Sequence, residues 1–411
     1  MSDQHLMSTY SRTDTAFENG QGSWLFDSNG NKYLDLISGI AVCGLGHCHS
    51  AVTQAIKDQV GRLVHTSNLY QIPLQNELAT LLSRISGMDN IFFCNSGAEA
   101  NEAAIKLARL YGHQREIKNP CIIVMEDAFH GRTMATLSAT GSRKAQAGFE
   151  PLVSGFARAP FDDLDAVRKI AKNNPDVVAV LLEPIIGEGG VQIPDPGYLP
   201  ELRKICDDNQ WLMMLDEVQT GNGRTGSYFA YQQQGFIPDV VTTAKGLGNG
   251  FPIGACLARG LAAKLFKPGN HGSTFGGGPL ACAASIATVT TIINQKLPEQ
   301  AAQLGTLMVN QLKEEMKHAN YVREIRGAGM MIGIELDFPC PELEVLARAK
   351  GLLINVTADS VIRLLPPLTL TEQEADLAVT ALAKLIKIYA ADERTRERRS
   401  SSRSDSGRRS N

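Results

Sequence analysis

The sequence predicts an α/β protein: a large, mostly parallel sheet with a smaller α+β domain beside it. Continuous apolar runs at 121–125 (CIIVM), 177–182 (VVAVLL) and 211–215 (WLMML) alternate with helical stretches. Runs that are apolar at every position belong to strands covered on both faces, the habit of parallel sheets. With 411 residues, 43% of them hydrophobic and 20% charged, the chain is also long enough to bury a large core.

Taken in order, Trp24-Leu25-Phe26 and Tyr33 to Leu36 flank Asp27-Ser28-Asn29-Gly30, a hairpin signal within 23–42. Helical patterns follow at 50–64 and 73–86. Ile91 to Cys94 is a short strand, Asn95-Ser96-Gly97 a turn, and 98–111 a helix whose start carries the capping pair Ser96 and Glu99. Beyond strand 121–125, helices at 163–172 and 198–209 alternate with strands at 177–182 and 211–215. Strands at 240–243 and 253–258 complete the series. Helices at 279–294 and 298–318 lead to a strand-rich region at 321–366. A closing helix is capped by Thr371 and Glu374, with Leu377, Ala381, Leu385 and Ile388 on one face. Residues 391–411 hold seven Arg, four acids and no apolar residue but Ala391, so they are predicted to be disordered.

Several function classes are excluded. A net charge of −3 offers no general attraction for nucleic acid or anionic membrane. No apolar stretch reaches the length of a membrane span, and MSDQHLMSTYSRTD lacks the apolar core of a secretory leader. The eight cysteines are scattered, never as CxxC, which predicts reduced thiols and a cytoplasmic protein. Consecutive His47-Cys48-His49 side chains do not converge on one ion, so no metal is expected. Gly221-x-Gly223-x-x-Gly226 matches a dinucleotide fingerprint in letters only, because no suitable helix and strand follow it.

Chemistry concentrates at strand ends. The run 240–243 stops at Ala244-Lys245 before a glycine-rich segment, and a lysine among small apolar residues loses its proton more readily. Asp216 ends another strand. Ser96, Gly97 and Ala98 open a helix, a ready phosphate site. Phe129 and Arg132 add an aromatic face and a guanidinium. Together these are the parts of a pyridoxal 5′-phosphate site: lysine for the aldehyde, aspartate for the ring nitrogen, aromatic for stacking, helix N-terminus for phosphate.

The sequence also resembles the class III pyridoxal-phosphate aminotransferases, specifically the acetylornithine aminotransferase group. The likeness covers residues 17 to 388. It includes SGIAVCGLGHCH (38–49), FFCNSGAEANEAAIKLAR (92–109), FHGRTMATLSATG (129–141), EPIIGEGG (183–190), LDEVQTGNGRTG (215–226), TTAKGLGNGFPIGA (242–255), HGSTFGGGPLACAA (271–284) and IRLLPPLTLT (362–371). The resemblance implies the fold-type I architecture with a seven-stranded sheet. It divides the chain into an N-terminal part of the small domain (1–45), a cofactor-binding domain (46–295), a C-terminal small domain (296–390) and the tail (391–411).

It also implies roles. Lys245 bonds the cofactor aldehyde and moves protons, Asp216 pairs with the ring nitrogen, Gln219 contacts the phenolic oxygen, and Val218 and Phe129 pack on opposite ring faces. Ser96, Gly97 and Ala98 hold the phosphate, joined by Thr274 from the neighbouring subunit of a homodimer. Arg132 grips a substrate carboxylate with Ser273 close by, Arg363 clamps a second carboxylate, and Glu188 masks Arg363 when that carboxylate is missing. The implied reaction is transfer of an amino group from N-acetylornithine to 2-oxoglutarate. Succinylornithine, ornithine and 4-aminobutyrate remain as neighbouring substrates. An aminomutase of the same fold is the other alternative, and Arg363 argues against it because its role implies an external acceptor. Ala98, where Thr is frequent in the group, removes one hydroxyl from the phosphate side.

Overall fold

The computed structural model describes residues 5–407, and side chains as far as 393. An antiparallel meander comes first: β1 (Phe17–Gln21), β2 (Trp24–Asp27) and β3 (Lys32–Asp35). The β2–β3 turn is fixed by the Asp27 carboxylate, which accepts from the backbone N–H groups of Asn29 (2.9 Å) and Asn31 (2.8 Å). Gly30 occupies the left-handed region there, with φ +80°.

The central sheet contains β4 (Asn90–Cys94), β5 (Cys121–Met125), β6 (Phe156–Ala159), β7 (Val177–Leu182), β8 (Leu212–Asp216), β9 (Val240–Thr243) and β10 (Gly254–Ala258). Their order is β4-β10-β9-β8-β7-β5-β6. Pairing is parallel from β9 through β6, while β10 runs antiparallel to both its neighbours. The reversal of β10 follows from its short connection: a parallel return from β9 needs a crossover, commonly a helix, which 244–253 does not supply. The apolar pattern does not signal β6, a short edge strand in which Arg158 interrupts it.

The apolar runs are explained by burial on two sides. Ile123, Val180, Leu182, Met213 and Leu215 join one core layer, whereas Ile122, Val124, Leu181, Leu212 and Met214 join the other. Alternate residues point to opposite faces, so a strand sandwiched between helices is apolar throughout. The helix Gly97–Gln114 covers the second layer with Ala103, Ala104, Leu107 and Ala108. Helices Tyr198–Asp208 and Pro279–Asn294 cover the first.

A third sheet, β11 (Val322–Ala328), β12 (Met331–Leu336), β14 (Asn355–Thr357) and β15 (Val361–Leu364), is antiparallel in the order β11-β12-β15-β14. The short β13 (Leu352–Leu353) leaves this region to pair in parallel with β3. Trp24 Nε1 donates to Glu374 Oε1 (2.5 Å), tying the same meander to the last helix.

That helix runs Glu372–Gly407, through most of the segment for which the sequence predicted disorder. Arg and Glu are good helix formers, and an established helix extends through them at little cost; residues 408–411 lie outside the described residues. Its buried stripe is Ala375, Ala378, Val379, Leu382, Leu385, Ile386 and Tyr389. The expected face placed Leu377 and Ile388 inward, but they are 50% and 52% exposed. The apolar residues spread around more than one face, and the docking surface selects the one that also carries the small alanines.

Leu181 is fully buried in β7. Leu181→Ala is expected to lower stability by about 2–5 kcal/mol through lost burial and a residual cavity. Leu377→Ala, on the exposed side of the last helix, should change it by no more than about 0.5 kcal/mol. Urea unfolding midpoints of the two variants check the ordering.

Candidate functional site

Strands β4, β5, β7, β8 and β9 all deliver their carboxyl ends to one edge of the sheet, the usual ligand position in open α/β sheets. A cavity of about 390 Å³ opens there. Ser96, Gly97, Ala98, Phe129, Arg132, Glu188, Asp216, Val218, Gln219 and Lys245 all line it. Residues from five separate stretches of sequence thus meet in one place.

Asp216 forms the floor and is 3% exposed. Its Oδ2 accepts from Asn101 Nδ2 and from His130 Nδ1, each at 2.7 Å. Its Oδ1 accepts from the Val218 N–H at 3.1 Å. Asn101 is itself fixed, because its Oδ1 accepts from Thr242 Oγ1 (2.7 Å) and its Nδ2 also donates to the His130 carbonyl (2.9 Å). Such a network holds a carboxylate in one orientation toward whatever lies above it. Asn101 and His130 were not singled out from the sequence. His130 lay beside Phe129 in a quoted motif, whereas Asn101 sits inside a helix with no local sign of its distant partner.

Lys245 sits just beyond β9 with φ +45°, an uncommon conformation for a non-glycine residue. Asn222 braces the strand end, donating from Nδ2 to Thr243 Oγ1 (3.0 Å) and to the Ala244 carbonyl (3.2 Å). Burial pulls Lys245 below the ordinary lysine range, Glu188 opposes that pull, and Arg363 adds to it. The amine is therefore closer to its neutral, nucleophilic form than a surface lysine.

The helix Gly97–Gln114 points its N-terminus into the cavity. Ser96 caps it, accepting from the Glu99 N–H at 3.2 Å, while the Glu99 carboxylate reaches back to the Asn95 N–H at 2.5 Å. The positive end of the helix dipole makes this a site for an anion. Gly97 is required sterically, because a β-carbon there would lie 2.8 Å from a Val218 methyl. Phe129 is half-buried, and its N–H donates to Glu183 Oε2 (2.9 Å). Glu183 Oε1 also accepts from Gly187 N–H (3.1 Å), linking the aromatic to the loop that carries Glu188. Burial, reinforced by the nearby Asp216, pushes the Glu183 carboxyl up to about 7.

Arg132 is exposed at the mouth, with its Cζ 5.4 Å from the Phe129 ring centre. Arg363, in β15, is 1% exposed. Its Nη1 donates to Glu188 Oε1 (2.7 Å) and Gln219 Oε1 (3.3 Å), and its Nη2 to Glu188 Oε2 (3.3 Å). Burial favours the neutral form of Glu188, but the Arg363 guanidinium outweighs it and holds the carboxyl below its usual range. Gln219 Nε2 donates to Glu188 Oε1 at 3.3 Å. Ser273 and Thr274 do not line the cavity of a single chain. Ser273 Oγ accepts from Asn95 Nδ2 (3.2 Å), and Thr274 is exposed beside Phe275, which is 64% exposed.

An anion site at a helix end, an aromatic wall, a fixed carboxylate and an amine in one cavity match the donor set of a phosphorylated pyridine aldehyde. His47 Nε2 pairs with Asp35 Oδ2 at 2.7 Å. Among the described residues no helix is long and apolar enough to cross a membrane.

The chain is similar to known proteins along most of its length. The family model for class-III aminotransferases matches residues 7–386. An acetylornithine aminotransferase of Nitrosomonas europaea is 56% identical, over 93% of this chain and 97% of that protein. Among solved structures, the ornithine aminotransferase of Toxoplasma gondii superposes with a TM-score of 0.92 at 32% identity, covering 95% of this chain and 94% of that one. The N-acetylornithine aminotransferase of Stenotrophomonas maltophilia gives 0.81 at 34% identity, covering 94% and 99%.

In protein stripped of bound small molecules, reductive methylation near neutral pH should modify Lys245 before the exposed lysines, because the neutral amine is the reactive form. Peptide mass spectrometry over time checks the order, and a Lys245 that lags behind the exposed lysines would contradict it.

Proposed function

The chain belongs to the class-III aminotransferase family, and from that premise we propose the reaction and the roles of its residues. It transfers the δ-amino group of N²-acetyl-L-ornithine to 2-oxoglutarate, giving N-acetyl-L-glutamate 5-semialdehyde and L-glutamate. The observation that carries this reading is the Arg363–Glu188 pair, whose Glu188 lines the same cavity as Lys245 and Arg132 while Arg363 lies buried behind it. Acetylornithine brings one carboxylate and 2-oxoglutarate brings two. Arg132 serves the carboxylate common to both. With acetylornithine bound, Glu188 supplies the anion that buried Arg363 needs; with 2-oxoglutarate, the second substrate carboxylate replaces it. One cavity thus accepts two substrates of different charge without stranding a guanidinium.

The cofactor is pyridoxal 5′-phosphate. When bound, it supplies an aldehyde that takes up the amino group and a ring that spreads the charge left on the substrate carbon. Gly97 and Ala98, with Ser96 beside them, would hold the phosphate through N–H groups at the helix start. Asp216, oriented by Asn101 and His130, would keep a proton on the ring nitrogen. Phe129 and Val218 would flank the ring, and Gln219 would face its phenolic oxygen. Lys245 Nζ acts as the base that removes the proton from the amine-bearing carbon of the substrate and returns it to the carbon that carries the nitrogen away.

We also infer a cytoplasmic homodimer. Leu69 and Tyr70, 87% and 70% exposed, adjoin Phe275 through Asn68, whose Nδ2 donates to the carbonyls of Ser273 (3.0 Å) and Gly276 (3.1 Å). An exposed apolar patch of this kind suits a partner subunit, and covering it would bring Thr274 toward the neighbouring cavity. All eight cysteines are free, consistent with a reducing compartment.

Half-reaction spectroscopy tests the reading. N-acetylornithine should bleach the visible absorption of the loaded enzyme, and 2-oxoglutarate should restore it. Bleaching by ornithine or 4-aminobutyrate but not by N-acetylornithine would overturn the substrate assignment. Arg132→Ala should lose about 2 kcal/mol or more of transition-state stabilisation with both substrates, seen as a drop in kcat/KM.

A further inference from the structure

We propose that Asn355 is a specificity-determining positioning residue: it fixes which edge of the Arg363 guanidinium faces Glu188 at the cavity wall and leaves that group's charge free for a substrate carboxylate. The proposal rests on the reading of Arg363 above. Asn355 lies in β14, directly across from Arg363 in β15. Its Oδ1 accepts from Arg363 Nε (3.1 Å) and Nη2 (2.5 Å). That occupies one side of the planar fork and turns the Nη1/Nη2 edge to Glu188. A guanidinium binds carboxylates in pairs of parallel hydrogen bonds, so fixing one edge decides the orientation of the other.

The amide itself has only one workable orientation. Asn355 Nδ2 donates to Glu344 Oε1 (3.1 Å), which also accepts the Val356 N–H (2.6 Å). A flipped amide would set its oxygen against that carboxylate and its NH₂ against the guanidinium. Glu344 therefore aims the Asn355 oxygen at Arg363. Because Asn355 is neutral, it fixes Arg363 without neutralising it.

The Glu188 side of the pair is held at its backbone. Thr357, two residues along β14, donates its hydroxyl to the Glu188 carbonyl. Arg326 donates from Nη2 to the Gly190 carbonyl (2.6 Å) and from Nε to the Val191 carbonyl (2.8 Å). With the Glu188 backbone and the residues that follow it tied down, the exchange of Glu188 for a substrate carboxylate is a side-chain rotation against a stationary guanidinium. One short strand thus holds both members of the pair.

Two variants of the loaded enzyme separate orientation from charge. Asn355→Leu keeps the approximate shape but removes the acceptor. The double variant Asn355→Asp with Glu344→Gln reverses the 344–355 hydrogen bond, the Gln amide donating to the new carboxylate, and keeps an acceptor facing Arg363, but places a charge beside the guanidinium. It also guards against Asn355→Leu failing to fold. Glutarate, an unreactive dicarboxylate, is the probe, measured by calorimetry. Both variants should weaken glutarate binding by about 30-fold, the scale of one charge-assisted hydrogen bond. The rate and concentration dependence of bleaching by N-acetylornithine should stay within about threefold of wild type. Unchanged glutarate binding, or equal loss in both measurements, overturns the role of Asn355 alone. If wild-type enzyme binds no glutarate and is not restored by 2-oxoglutarate, the reading of Arg363 fails and this inference fails with it.

Discussion

Glu188 cannot serve two cations at once, and much of the cavity follows from that. Its carboxylate is bound to Arg363 at 2.7 Å, so its charge is largely committed there. Lys245 shares the cavity and is left with burial acting against its charged form. A buried guanidinium does not shed its proton, whereas a lysine can. The competition is therefore settled by chemistry: Arg363 stays charged and paired, and Lys245 becomes the reactive amine. Removing Arg363 would release Glu188 to Lys245 and blunt the nucleophile.

The parallel strands make such a cavity possible. They end side by side, so Ser96, Glu183, Asp216 and Lys245 arrive at one edge from widely separated positions. The glycine-rich 221–226 segment, which imitates a dinucleotide motif, acts here as a brace. Asn222 secures the turn into Lys245, and Arg224 Nη1 donates to the carbonyls of Met330 (3.1 Å) and Pro366. The second contact lies three residues beyond Arg363, so the same segment steadies the lysine and the strand that carries the arginine.

Whatever depends on periodicity or on local chemistry was legible in the sequence. Strands at 121–125, 177–182 and 240–243 are signalled by unbroken apolar runs, and the helix after Ser96 by its cap. Lys245, Asp216 and Gly97 stand at abrupt ends of such runs, where ligands collect. Asn101, His130 and Asn355 were not legible, because each acts through a hydrogen bond to a residue distant in sequence or on a neighbouring strand. The antiparallel β10 was also hidden, since its apolar residues suit either direction. The burial of Leu382 rather than Leu377 depends on which face of the helix meets its neighbouring helices, Leu297–Glu315 and Glu342–Arg348, and periodicity alone does not choose it.

Ser273 and Thr274 stand at the outer edge, the side on which the proposed second copy is placed. Inside it, the arrangement converges on one atom, Lys245 Nζ. Borohydride reduction of the loaded enzyme, followed by digestion and mass spectrometry, tests that convergence directly. The account predicts that the phosphopyridoxyl mass is fixed to the peptide containing Lys245. Its recovery on any other lysine, with Lys245 unmodified, would contradict it.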